Sequence, residues 1–145
     1  TTQIDAAKTV SEIQQILARS GATAIMTEYD QRGVLIGVSF RIATQFGPTA
    51  YSLPCDIPAV RKILETQMRQ GKVPRRLVTD EQAARVGWRI IKDWTEAQLA
   101  LVQTQMVTLA QVFLPYARTN TGETVYQRYV NTGMAGLALE CKGTP

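Results

Sequence analysis

The sequence predicts an α+β fold: a three-stranded antiparallel β-meander packed against helices, with a long C-terminal helix or helix pair. Three observations lead there. Apolar residues recur at helical spacing before residue 21, between 57 and 70, and again over 79–114. Between the first two segments the period changes to two, with Val34, Ile36, Val38, Phe40 and Ile42 alternating with more polar neighbours. Turn-forming stretches bracket that strand: Asp30-Gln31-Arg32-Gly33 before it and Gln45-Phe46-Gly47-Pro48 after it. With 145 residues, 45% apolar and 19% charged, the chain suits one domain over 1–130 with its own core, followed by a flexible glycine-containing tail at 131–145.

Each element has its own punctuation. Thr9-Val10-Ser11-Glu12 fits a capping box ahead of Ile13, Ile16 and Leu17, and Ser20-Gly21 closes that helix. Weaker strands at about 22–29 and 48–53 complete the meander around the central one. Asp56 can cap a second helix with Pro58 in its first turn, running through Val60, Ile63, Leu64 and Met68 to Gly71. Thr79-Asp80-Glu81-Gln82 opens a third helical pattern that extends to Leu114, ahead of Pro115. Unbroken, that pattern would be about 54 Å long. It therefore reads either as two helices broken near Trp94, with a new cap at Thr95, or as one helix that protrudes and pairs with a second copy. Thr121-Gly122-Glu123 precedes a short helix around Val125, Tyr126 and Tyr129, and the tail carries Met134, Leu137 and Leu139.

Composition excludes many activities. The chain has no histidine, which removes Ser-His and Cys-His nucleophile pairs and imidazole-bound zinc. Cys55 and Cys141 are too few for a disulfide framework and read as idle thiols. No phosphate-binding or dinucleotide-binding glycine loop is present. Glu28 and Asp30, at one side of a strand near a turn, could suggest a metal pair, but they read as polar turn residues. An enzyme would have only Glu28, Asp30, Asp93 and Glu96 to work with. The expectation is a non-enzymatic protein with no metal and no cofactor. With no apolar run long enough for a membrane helix and no signal peptide ahead of Thr1, a cytoplasmic location is expected.

Charge gives the most specific clue. The net charge is +4, yet residues 61–92 hold nine cations against three acids, leaving the remainder acidic. A basic segment on an otherwise acidic chain is the footprint of an anion binder, often of nucleic acid. On a helical wheel, Arg85, Arg89 and Lys92 share one stripe, with Ile90, Trp94, Ala97 and Leu101 clustered away from it and Trp88 at its margin. The expected site is therefore Arg75, Arg76, Arg85, Arg89 and Lys92 on phosphates, Trp88 stacked on a base, and Arg69 and Lys72 extending the groove. Without a base-reading element, the expected ligand is single-stranded DNA or RNA bound without sequence preference. The alternative is a protein-binding or self-assembling module using the apolar stripe Leu101, Val102, Leu109 and Phe113 of a 96–114 helix.

Val73-Pro74-Arg75-Arg76, the run from Val86 to Gln98, and Phe113-Leu114-Pro115-Tyr116 resemble small proteins of phage and prophage genomes. The resemblance extends to about Tyr129 and carries no catalytic residue with it. It implies a role in DNA replication or recombination, or in interference with the host through protein partners.

Overall fold

A computed structural model describes residues 2–133, 136 and 137. The meander forms where the period-two pattern predicts it. Strand β2 (Leu35–Thr44) pairs antiparallel with β1 (Ala24–Tyr29) on one side and β3 (Gly47–Ser52) on the other. Phe40 sits between Ile25 and Tyr51, and Val38 opposite Thr27, so these side chains point to the helical layer. One face therefore builds the core. The opposite face carries Ala24, Met26, Ser39, Arg41, Ala50 and Ser52.

One residue breaks the simple alternation. The β1–β2 register shifts between Glu28 and Tyr29, leaving Ile36 as the extra residue of a bulge. Past the bulge, side-chain direction inverts: Leu35 is 7% exposed, while Ile36 is 41% exposed. Asp30 explains the turn beyond it, because its carboxylate accepts hydrogen bonds from the Arg32 and Val34 N–H groups at 2.8 and 2.9 Å. Asp30 is thus a turn-forming residue.

Helix α1 (Thr2–Arg19) begins earlier than the capping box suggested. Its buried stripe, Ala6, Val10, Ile13 and Leu17, starts at Ala6, upstream of Thr9. Thr9 lies inside the helix, and its hydroxyl donates to the Asp5 carbonyl at 3.0 Å instead of capping. Helix α2 (Ile57–Arg69) starts as expected, with the Asp56 carboxylate accepting from Ala59 N–H at 3.0 Å. Ile57 and Leu64 form its buried face, whereas Ile63 points outward.

Helix α3 (Asp80–Gln103) is continuous through Trp94 and stops short of Leu114, between the two ends that the sequence offered. The break comes at Thr104–Met106, where Gln105 adopts a left-handed φ of 64° and the Thr104 hydroxyl bonds back to the Leu101 carbonyl. Thr108 then caps the short helix α4 (Leu109–Phe113). Neither the single 79–114 helix nor the 96–114 helix exists as one element. The break turns the chain back, so that Phe113 inserts among Phe40, Tyr51 and Trp94 with ring centroids 5.5 to 5.9 Å away. Arg118 then pairs with the edge of β3, and helix α5 (Val125–Asn131) follows from a Thr124 cap. The tail expected at 131–145 lies mostly outside the described residues.

The core face of α3 is Ala84, Trp88, Ile91, Thr95 and Leu99. Thr95 is fully buried and its hydroxyl has no hydrogen-bond partner among the described residues. An unpaired buried hydroxyl costs about 1–3 kcal/mol. Thr95→Val is therefore expected to raise stability by about 1 kcal/mol, measured as a higher denaturant midpoint with an unchanged slope. A lower midpoint would mean that the hydroxyl has a partner after all.

Candidate nucleic-acid interface

The basic segment divides into two parts that differ in their surroundings. The first part is the stripe on α3, which packs along α1. Arg85 Nε lies 3.3 Å from Asp5 Oδ2, and Lys92 Nζ lies 2.5 Å from Glu12 Oε2 and 3.6 Å from Glu96 Oε1. These cations close the α1–α3 seam with acids from the facing helix. Arg89 keeps its side chain exposed beside them. The hydrogen bond from Lys92, with the charges of Lys92, Lys8 and Arg89, holds the Glu12 carboxyl below the usual carboxylate range despite its desolvation.

That shift carries a pH signature. Because Glu12 is more acidic in the folded chain, its contribution to stability is present above the ordinary carboxylate range. It is lost as pH falls through the lowered value. The same bond raises Lys92, whose contribution disappears only as pH rises through a value above its ordinary one. Glu12→Gln is expected to lower the melting temperature at pH 7, and to lower it less in acid as pH falls through the lowered Glu12 value. An equal loss at pH 7 and in acid would show that the carboxylate charge is not what matters.

Trp88 does not join the stripe as a stacking residue. It is 0% exposed, and its Nε1 donates to the Leu35 carbonyl at 2.9 Å. No base can reach it. The reason lies in which helix face the core chose. The wheel placed the core around Ile90 and Trp94, but Ile90 is exposed and the buried face centres on Trp88 and Thr95. Gly87 lies on the same buried side, where an added methyl group would meet Cys55 Sγ at 3.4 Å and Val60 Cγ2 at 3.5 Å in ordinary van der Waals contact. That close approach brings α2 against α3 on the flank away from α1.

The second part is the α2–α3 loop, and it is built for exposure. Gly71, at φ 75°, ends α2 with the Lys72 N–H donating to the Gln67 carbonyl at 2.8 Å, a Schellman closure. Pro74 then leads into a 3₁₀ turn over Arg75–Leu77, held by Leu77 N–H to Pro74 and Val78 N–H to Arg75, both 3.0 Å. Leu77 and Val78 are half-buried and anchor the turn, while Lys72, Arg75 and Arg76 are exposed. Those three cations form no ion pair among the described residues. Arg69 reaches Glu65 only at 3.9 Å and remains exposed, and Lys62 is exposed on α2. Asp80, the acid nearest the loop in sequence, is already bound by Arg61 at 2.7 Å and by Arg32. From Lys62 to Val78 the chain carries five cations and one acid, Glu65.

Among the described residues no group of three acids or cysteines could hold a metal ion. A groove of about 520 Å³ beside β3 and the start of α2 is lined by Ile36, Leu53, Cys55, Ile57, Tyr116 and Tyr126. Its thiol, Cys55, is pushed up to about 12 by burial and by the neighbouring Asp56 charge. A thiol so raised is neutral at physiological pH and a poor nucleophile. The stripe of the alternative reading is divided between two helices: Leu101 and Val102 lie on α3 and Leu109 on α4, all half-buried, while Phe113 is 0% exposed. No helix among the described residues is long and apolar enough to cross a membrane.

Compared with known protein families, curated proteins and solved structures, the chain matches none.

Proposed function

We propose that the chain is a non-enzymatic nucleic-acid-binding protein that grips the sugar–phosphate backbone through its α2–α3 loop. The observation that carries this reading is the adjacent pair Arg75 and Arg76. They are exposed on an ordered turn and unpaired, whereas Arg85 and Lys92 are neutralised by acids. Guanidinium groups bind phosphate oxygens in bidentate fashion, and a loop already fixed by Gly71 and Pro74 loses little entropy on binding. Lys72 lies beside the pair, and Arg69 and Lys62 extend the positive surface along α2. In a phage-type protein, which the sequence resembles, such binding suits an accessory of DNA replication or recombination.

The chemistry of the loop also sets what it can distinguish. No aromatic residue lies between Lys62 and Thr79, so the loop contributes charge without stacking. With Trp88 buried, the preference for single strands loses its physical basis. Single strands and duplexes of equal charge should bind alike, and base sequence should not matter. The test is fluorescence anisotropy with labelled single strands of about 20 nucleotides and duplexes of about 10 base pairs, which carry nearly equal charge, at about 50 mM salt. Binding at about 1–100 µM to both supports the reading. No binding to either one overturns it.

A further inference from the structure

We infer that β1 is a self-association edge, where a second copy of this chain adds its own β1 antiparallel to form a continuous six-stranded sheet. The far edge of the sheet is covered, because Ala117 bridges Tyr51 and Arg118 N–H donates to the Ala50 carbonyl at 2.8 Å. The β1 edge has no such cover among the described residues. Unpaired edges are templates for another strand unless charge or proline blocks them, and β1 contains no proline and one charge.

The direction of the backbone groups fixes what the edge offers. Leu53 N–H donates to the Val38 carbonyl at 2.9 Å, so Val38 and Phe40 turn their backbone groups towards β3. Gly37, Ser39 and Arg41 therefore turn theirs towards β1, where Glu28, Met26 and Ala24 face them. Ile25 and Thr27 are left with N–H and C=O groups directed out of the sheet. A two-fold axis through Met26 lets Ile25 exchange both hydrogen bonds with Thr27 of the second copy, and Thr27 with its Ile25.

Charge selects this register over its neighbour. With Met26 on the axis, Glu28 lies opposite Ala24 of the second copy, and beyond Ala24 stands Arg41 on β2. Two strand spacings separate the backbones by roughly 10 Å, a gap that the long Glu and Arg side chains span across the alanine methyl. Glu28 and Arg41 are both exposed, and neither forms an ion pair among the described residues. Glu28 rests over Gly37 and needs only a rotamer change to reach across. The symmetry makes the pair twice. Met26, 56% exposed in one copy, meets its own counterpart at the centre. An axis through Thr27 would instead set Glu28 against Met26 and beyond it Ser39, with no opposite charge.

The test is sedimentation equilibrium of the full chain, with cross-linking as a check on register. The wild type is expected to dimerise at concentrations up to about 100 µM. Glu28→Arg and Arg41→Glu should each weaken association about tenfold, since each clash occurs twice, and combining them should restore it. Met26→Cys should oxidise to a covalent dimer, because facing residues at the axis lie within disulfide reach, whereas Glu28→Cys should not. A wild-type chain that stays monomeric overturns the inference. So does a dimer indifferent to both single reversals, or Met26→Cys that cross-links no better than wild type.

Discussion

Trp88→Ala is expected to cost about 4 kcal/mol of folding stability, lowering the melting temperature by on the order of 15 °C. The indole is fully buried on the core face of α3, between the α1 flank and the Gly87 contact with α2. Truncating it leaves a cavity where sheet and helices meet, and packed interiors close such gaps only partly. Trp88→Phe separates packing from hydrogen bonding. It keeps most of the ring volume but strands the Leu35 carbonyl, so about 2 kcal/mol should still be lost. The site matters because Leu35 sits beside the bulge, and the indole hydrogen bond ties that irregular part of β2 to α3. Chemical denaturation checks both values. A neutral Trp88→Phe, together with iodide quenching of Trp88 fluorescence in the folded chain, would show an accessible indole and return it to the list of stacking residues.

Reversing the loop is expected to have the largest effect on binding. Lys72→Glu/Arg75→Glu/Arg76→Glu should weaken nucleic-acid affinity at least about 100-fold at low salt, because it both removes phosphate contacts and repels the backbone. The same variant should melt within a few degrees of wild type, since all three side chains are exposed and unpaired. Arg85→Gln/Lys92→Gln should behave in the opposite way. Those residues hold α3 to α1 through Asp5 and Glu12, so stability should fall while affinity changes little. If the α3 pair abolishes binding and the loop triple spares it, the interface lies on the stripe.

The sequence was most readable where one local signal decided the outcome. Strand β2, the caps at Asp56 and Thr79, and the closures at Gly21 and Gly71 all follow from side chains acting on their own backbone. Tertiary choices were harder to read. Thr9 and Thr95 look like helix starts, but each is carried inside a longer helix by the apolar stripe that surrounds it. The buried face of α3 is obscured for the same reason: Thr95 interrupts the run Ala84, Trp88, Ile91, Leu99 and hides it from a count of apolar residues. Trp88 and Phe113 thereby move from candidate surfaces into the core. The α2–α3 loop was legible because five cations in a short stretch survive any choice of helix face. What the sequence could not show was which of the basic residues would meet acids. Asp5 and Glu12 lie some 80 residues away from the cations they neutralise.

The most direct measurement is the salt dependence of oligonucleotide affinity for wild type and Arg75→Ala/Arg76→Ala, between about 50 and 200 mM salt. Each phosphate neutralised by the protein adds roughly 0.7 to 0.9 to the slope of log affinity against log salt. If the two arginines each hold a phosphate, the slope of the variant should be shallower than that of wild type by about 1.5. An unchanged slope, or an affinity insensitive to salt in both proteins, would contradict backbone binding by this loop.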